Sequence, residues 1–171
     1  RQLDATYLKV TELLGIPRGL NLFWGKASIF ICRTSDEFRL IEAQAFKHMV
    51  APGVIGLCHQ RGPKVFVNTF RAEDDLQFAS TLVHETVHGI MHRFISPVRL
   101  PTWADEGFAE YVAGRSFRGS PVDSNRRPQA LHFIRNGGDV SSVVAMSYED
   151  GSWPGDEAVG YAIGYLICTT M

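Results

Sequence analysis

The sequence is poor in cysteine and carries almost no net charge. Its 171 residues include three cysteines, Cys32, Cys58 and Cys168, and no C-x-x-C pair. Neither a disulfide framework nor a thiolate zinc cage is therefore expected. Seventeen basic residues against eighteen acidic ones give a net charge of -1, which leaves no positive field to gather phosphate groups. We therefore expect no nucleic-acid partner.

Long apolar runs are also missing. Because no stretch of about eighteen uninterrupted apolar residues is present, we expect a soluble chain with no membrane-spanning helix and no signal-peptide core. The chain starts at Arg1 rather than at a methionine, and its last segment still has the pattern of an apolar helix, which predicts a trimmed chain. Neither the compartment nor the oligomeric state is indicated.

The composition is that of a globular protein, with 45% hydrophobic and 20% charged residues. No internal repeat divides the chain, so we expect a single domain over residues 1–171, with an α/β part (1–92) and a helical part (93–171). Apolar runs predict strands at 27–33, 54–58 and 64–69, the last two forming a hairpin.

Helical periodicity predicts the remaining elements. A long amphipathic helix is expected from Asp74 or Asp75 to about His92, and a shorter one over 102–114. The segments after it are all helical in pattern. The fold class is therefore predicted to be α+β, with a small mixed sheet and an edge strand packed on the long central helix, followed by helices alone.

The long helix carries the motif H-E-x-x-H, at His84, Glu85 and His88. Four residues of α-helix turn the chain by about 400°, so both imidazoles leave one face and can bind one ion. Neutral imidazole is a natural zinc ligand, and the adjacent glutamate can take a proton from a water held by the metal. This spacing indicates a catalytic zinc site.

A catalytic zinc ion normally has three protein ligands, so one more is expected. Seventeen residues separate His88 from Glu106, which lies in the predicted helix T-W-A-D-E-G-F-A-E-Y. Asp105 is the competing carboxylate, but it points about 100° away from Glu106 around the helix axis and ranks lower. A set of two histidines and one carboxylate also binds non-haem iron, although H-E-x-x-H favours zinc.

With these two motifs the chain resembles the gluzincin metallopeptidases, in particular the small peptidase MA-like domains and the thermolysin and aminopeptidase-N type. The spacing is one residue shorter than aminopeptidases usually have. The resemblance implies a zincin-like fold, Glu106 as the third ligand, and Glu110 as a carboxylate that accepts a hydrogen bond from a ligand histidine. It also implies a tyrosine that stabilises the oxyanion, here Tyr161, with His132 as the alternative.

The resemblance further implies that a peptide substrate lies along the edge strand above the active helix. Residues 64–69 precede that helix, so we expect substrate contacts at four positions, Val65, Phe66, Val67 and Asn68. The G-x-M-E-N signature by which aminopeptidases capture a free amino terminus is missing near this strand. The sequence therefore leaves open whether an endopeptidase or an exopeptidase is present.

The expected function is a zinc-dependent peptidase in which His84, His88 and Glu106 bind Zn²⁺ and Glu85 is the general base. Peptides or proteins are the expected substrates, and their identity is not indicated. The alternative is a zinc-binding domain with latent or no peptidase activity and a binding or regulatory role. Glu85 argues against the alternative, because a purely structural site needs no general base.

Overall fold

Seven α-helices and three strands make up the part of the chain that the computed structural model describes, which is residues 2–17, 19–20, 26–71, 74–94, 100–153 and 157–171. None of the helices within these ranges is both long and apolar enough to cross a membrane. The chain divides into two compact units, residues 1–96 and 97–171. The coarse prediction of an α+β protein with a small mixed sheet is confirmed.

The first unit contains the sheet. Its elements, in chain order, are α1 (Gln2–Leu13), β1 (Ser28–Cys32), α2 (Ser35–Ile41), a π-helical turn (Glu42–Phe46), β2 (Gly56–Arg61), β3 (Lys64–Phe70) and α3 (Asp75–Phe94). Capping explains two helix starts. The Thr34 side chain accepts a hydrogen bond from the Glu37 amide at the start of α2, and the Asp74 carboxylate accepts from the Leu76 amide at the start of α3.

The strand order is β1-β3-β2, with β3 parallel to β1 and antiparallel to β2. The hairpin of β2 and β3 was predicted, and it turns at Gly62, whose φ of 56° is the left-handed conformation that glycine adopts easily. The prediction that residues 64–69 form an edge strand is wrong. β1 pairs with β3 on the side opposite β2, so β3 is central and its main chain is bonded on both sides.

The side chains of β3 divide between the two faces of the sheet, because successive residues of a strand point to opposite sides. Val65 and Val67 are buried on the face where α3 packs on β2 and β3. Phe66 and Asn68 lie on the other face, where Phe66 packs edge-on against Phe46. α3 is therefore held against the sheet by the valine face.

The second unit is entirely helical in its described part. Its helices are α4 (Thr102–Ser116), α5 (Pro121–Arg135), α6 (Val140–Ala145) and α7 (Glu157–Thr170). α7 packs on the other three, and its Ala162 and Ile163 are buried in a core with Ala130 and Val143. α4 begins at Thr102 as expected but continues past Gly114 to Ser116, because Gly114 is buried within the helix rather than ending it.

Candidate functional site

The first unit brings the two motif histidines together on α3. The Nε2 atoms of His84 and His88 lie 3.0 Å apart, and the ring centres are 4.7 Å apart. Ligands of a tetrahedral zinc ion, each about 2.0 Å from the metal, lie about 3.3 Å from one another. The two imidazoles thus fit a shared ion, with the ring nitrogens already converging on one point.

Glu85 lies in the same helical turn and is 8% exposed. Its side chain passes close to the start of β2: a Cβ atom placed on Gly56 would lie 2.9 Å from Cγ of Glu85 and 2.8 Å from Cγ2 of Thr81. Gly56 therefore leaves the space that Glu85 occupies. Gly56 carries no signal of this role in the sequence, because a glycine at the start of a strand is usually attributed to the preceding turn.

The residue after the motif, Gly89, also leaves space for neighbouring side chains. A Cβ atom on Gly89 would lie 2.7 Å from Cγ1 of Val65 and 3.4 Å from Sγ of Cys58. The missing side chain lets α3 approach the sheet closely at the turn that carries His88. The positions of the motif side chains relative to β2 and β3 depend on this contact.

In the second unit, Glu106 is buried in α4 and accepts a hydrogen bond from the Tyr148 hydroxyl, with 2.6 Å between the oxygen atoms. Desolvation of its hydroxyl raises the pKa of Tyr148 far above its usual value, although 45% of the residue is exposed, and the nearby Glu106 and Tyr161 add to the rise. Tyr148 therefore stays a neutral hydrogen-bond donor. Asp105, the competing ligand, is half-buried.

Tyr148 was not among the predicted site residues. It lies in the turn after α6 and has no spacing relationship to either motif. The ring of Trp153 packs against both Tyr148 and Tyr161, with centre-to-centre distances of 6.1 Å and 5.4 Å. The structure thus brings Tyr161 into the group around Glu106.

Glu110, one turn after Glu106 on α4, accepts a hydrogen bond from Nε of Arg126 at 2.7 Å. The guanidinium of Arg126 also lies 5.2 Å from the ring centre of Tyr161. Arg126 therefore orients the carboxylate of Glu110 and contacts the candidate oxyanion stabiliser at the same time. His132, the alternative to Tyr161, is exposed on α5, where its Nε2 lies 3.1 Å from Nδ2 of Asn136.

The predicted substrate residues are placed differently from the expectation. Phe66 pairs with Ser28 of β1 and with His59 of β2, so its main chain has no open side for a peptide. Val65 and Val67 are buried, and Asn68 hydrogen-bonds within the first unit. β2 is the antiparallel strand at the edge, and among the described residues it pairs with β3 alone.

Two of the three predicted metal ligands, His84 and His88, lie in the first unit, and the third, Glu106, lies in the second. That Glu106 binds the same ion as the two histidines stays a prediction. Comparison of the chain with protein-family models, with curated proteins and with solved structures found no match.

Proposed function

We propose that the chain is a zinc-dependent peptidase of the gluzincin type, with a zincin-like fold. The observation that carries this proposal is the pair of motif histidines, whose Nε2 atoms lie 3.0 Å apart on α3 with Glu85 in the same turn. Imidazole pairs at this separation match the ligand spacing of zinc. Glu85 can act as a general base, which a purely structural zinc site does not need.

The residues that would hold zinc are His84, His88 and Glu106. When bound, zinc acts as a Lewis acid, which lowers the pKa of water and polarises the carbonyl group of a peptide. Glu106 enters as the third ligand because it lies in the E-G-x-A-E-Y helix that follows the first motif. The hydrogen bond from Tyr148 orients its carboxylate, as outer partners of metal ligands commonly do.

Glu85 is the general base. It takes a proton from the attacking water and afterwards transfers that proton to the leaving amine. Both transfers need a carboxylate held at one position, and the space left by Gly56 lets Glu85 lie against the start of β2.

Tyr161 is proposed to donate a hydrogen bond to the oxyanion that forms on the substrate carbonyl. Its contacts with Tyr148, Trp153 and Arg126 support this choice over His132, because they place it in the group around Glu106. Glu110 is proposed to accept a hydrogen bond from a ligand histidine through the carboxylate that Arg126 orients.

The proposed substrate is a peptide or unfolded protein segment that extends along β2. The main chain of an edge strand offers hydrogen-bonding groups to an added strand, which gives affinity without a specific sequence. We place the peptide along β2 rather than along residues 64–69, because those residues belong to β3, which is the central strand. Gly56, at the start of β2, lies beside Glu85, so a peptide bound to β2 passes near the general base.

Metal analysis of tag-free protein, in parallel with a His88→Ala variant, tests the site. We expect about one zinc per chain to depend on His88. Cleavage of casein with and without a chelator then tests the activity. Casein cleavage that stops with chelator and returns with zinc supports the peptidase. Bound zinc without cleavage identifies a zinc-binding domain that lacks peptidase activity, and protein that binds no zinc refutes the proposal.

A further inference from the structure

The hairpin of β2 and β3 lies in a stretch of the chain that contains no acidic residue. Residues 43–72 include four basic residues and no aspartate or glutamate, so all eighteen acidic residues of the chain lie outside this stretch. The four are Lys47, Arg61, Lys64 and Arg71. Because the whole chain has a net charge of -1, the hairpin is a local concentration of positive charge.

Three of these four cations have no carboxylate partner within the described ranges. Arg71 is compensated by Asp75, with 2.9 Å between Nη2 and Oδ1. Lys47, Arg61 and Lys64 are exposed, and none of them forms an ion pair with a described residue. Their charges are therefore available to a negatively charged ligand.

Two of the available cations face each other at the end of the hairpin. Arg61 of β2 is the cross-strand partner of Lys64 of β3, so both side chains leave the sheet on the same face. Like charges directly opposite each other destabilise a pair of strands. An anion bound beside both side chains would turn this repulsion into attraction. The pair therefore indicates a ligand that carries negative charge.

The guanidinium of Arg61 is held in place by uncharged groups. Its Nη2 donates to the carbonyl of Ala45 at 2.6 Å, and its Cζ lies 5.1 Å from the ring centre of Phe46. Neither contact neutralises the charge, and a guanidinium has further N–H donors to offer. A carboxylate can accept two parallel hydrogen bonds from such a group. Arg61 is thus oriented in advance for an acidic side chain.

The main chain of β2 lies beside these charges. Since β2 pairs with β3 alone in the part of the chain that the structure describes, its outer main-chain groups are open to an added strand. Every second side chain of an added strand would lie on the face that carries Arg61 and Lys64. A peptide can use both the strand edge and the positive charge, whereas a nucleic acid can use only the charge. The two features together favour an acidic peptide.

We propose that β2 binds extended peptide segments rich in aspartate and glutamate, and that Arg61 and Lys64 select these acidic side chains. This inference rests on the proposed peptidase function, for which it names the substrate class. Arg61 lies five residues after Gly56, about 17 Å along an extended strand, so the selected side chains are remote from the bond beside Glu85. The charges should therefore act on KM and leave kcat unchanged.

The test measures peptide binding by fluorescence anisotropy. The probes are three labelled peptides in which threonine, a good strand former, alternates with glutamate, glutamine or lysine. We expect the glutamate peptide to bind at least about tenfold more tightly than the glutamine peptide at low salt, and the difference to shrink at high salt. Arg61→Glu should remove this preference. Arg135→Glu, the same change at an exposed arginine of α5, should retain it.

The binding results decide the charge preference without zinc or cleavage. A preference for the glutamate peptide that is lost with Arg61→Glu supports the proposal, provided that circular dichroism shows the variant to be folded. Equal binding of the three peptides overturns it, as does a preference that Arg61→Glu leaves unchanged. Oligothymidylate that displaces the glutamate peptide as well as unlabelled glutamate peptide does also overturns it, since the surface then binds polyanions in general.

Cleavage of casein, an acidic protein, by the zinc-loaded chain connects this surface to the proposed activity. A raised KM with unchanged kcat in Arg61→Glu supports acidic segments as the substrate class, and an unchanged KM overturns that assignment. Failure of the peptidase proposal gives a different result. Glutamate-selective binding without casein cleavage would refute the peptidase and identify β2 as a binding site for acidic peptides.

Discussion

Gly107 of α4 and Gly164 of α7 meet backbone to backbone. A Cβ atom placed on Gly107 would lie 2.4 Å from the carbonyl carbon of Gly164, and one placed on Gly164 would lie 2.5 Å from the carbonyl oxygen of Trp103. Glu106 immediately precedes the first glycine, and Tyr161 lies one turn before the second. This contact therefore determines how closely the two side chains approach within the second unit.

Substitution Gly107→Ala should destabilise the protein, because the new methyl group meets main-chain atoms that cannot move aside. We expect a loss of about 3 kcal/mol in the free energy of unfolding, at the upper end for overpacked sites. Chemical denaturation measures it. Arg127→Ala, at an exposed position of α5, is the control and should change stability by less than about 0.5 kcal/mol. Equal stability of the two variants would show that the helices separate easily.

Substitution Glu85→Gln should leave zinc bound while lowering turnover by orders of magnitude, because the amide cannot accept the proton of the attacking water. Zinc content and casein cleavage are measured on the same sample. The control is Glu12→Gln, an exposed glutamate of α1. Unchanged turnover in a zinc-loaded Glu85→Gln protein would remove Glu85 from the mechanism.

Substitution Gly56→Ala should move Glu85, since the added Cβ would lie 2.9 Å from Cγ of that side chain. We expect kcat to fall on the order of tenfold to a hundredfold, because a displaced general base lowers the rate of the chemical step. Zinc content should be retained. Arg39→Ala, at an exposed position of α2, should have wild-type kcat. A Gly56→Ala enzyme with normal kcat would contradict the importance of this contact.

The two tyrosines near Glu106 should differ in their effects. Tyr148→Phe removes the hydroxyl that donates to Glu106, so zinc affinity should fall about tenfold. Tyr161→Phe should lower kcat with zinc affinity unchanged, because its proposed partner is the oxyanion. Zinc competition with a chelating dye and steady-state kinetics separate the two. Tyr7→Phe, in the first unit, serves as the control. A loss of kcat with His132→Ala instead of Tyr161→Phe would exchange the proposed roles.

Substitution Arg126→Ala should leave the carboxylate of Glu110 without its cation in a largely buried position. We expect a loss of about 3 kcal/mol in unfolding free energy, because the buried carboxylate loses its charge-assisted hydrogen bond from the guanidinium. The double variant Glu110→Gln and Arg126→Met should recover a large part of it. Urea denaturation of the three variants is the measurement, and equal stability of single and double variants would argue against a buried ion pair.

Much of the local structure was predictable from residue patterns. The helical periodicity of α3 and the hairpin of β2 and β3 depend on neighbours close in sequence, and both predictions are confirmed. The four-residue spacing also places the rings of His84 and His88 side by side on α3. Glycines inside helices could also have been noticed, because each costs about 1 kcal/mol relative to alanine and so indicates a close approach. Gly107 and Gly164 are two such glycines.

The order of the strands was not predictable in the same way. β3 pairs with β1 in parallel although α2, the π-helical turn and β2 separate the two strands in the sequence. The apolar pattern of 64–69 is equally compatible with a central and an edge position. Tyr148 was missed for a related reason. It lies in a turn with no periodic signal, and only the packing of the second unit brings it to Glu106.

Asn68 also determines which pairing of the strands is tolerated. Its amide group joins the carboxylate of Glu42 to the carbonyl of Phe38, and its side-chain oxygen lies 3.4 Å from Sγ of Cys32. A slip of β3 by one residue would turn Asn68 towards the apolar face and place Val67 or Thr69 beside the buried carboxylate. One amide in the middle of the sheet thus makes any shifted alignment of the strands costly, and selects a single folded arrangement.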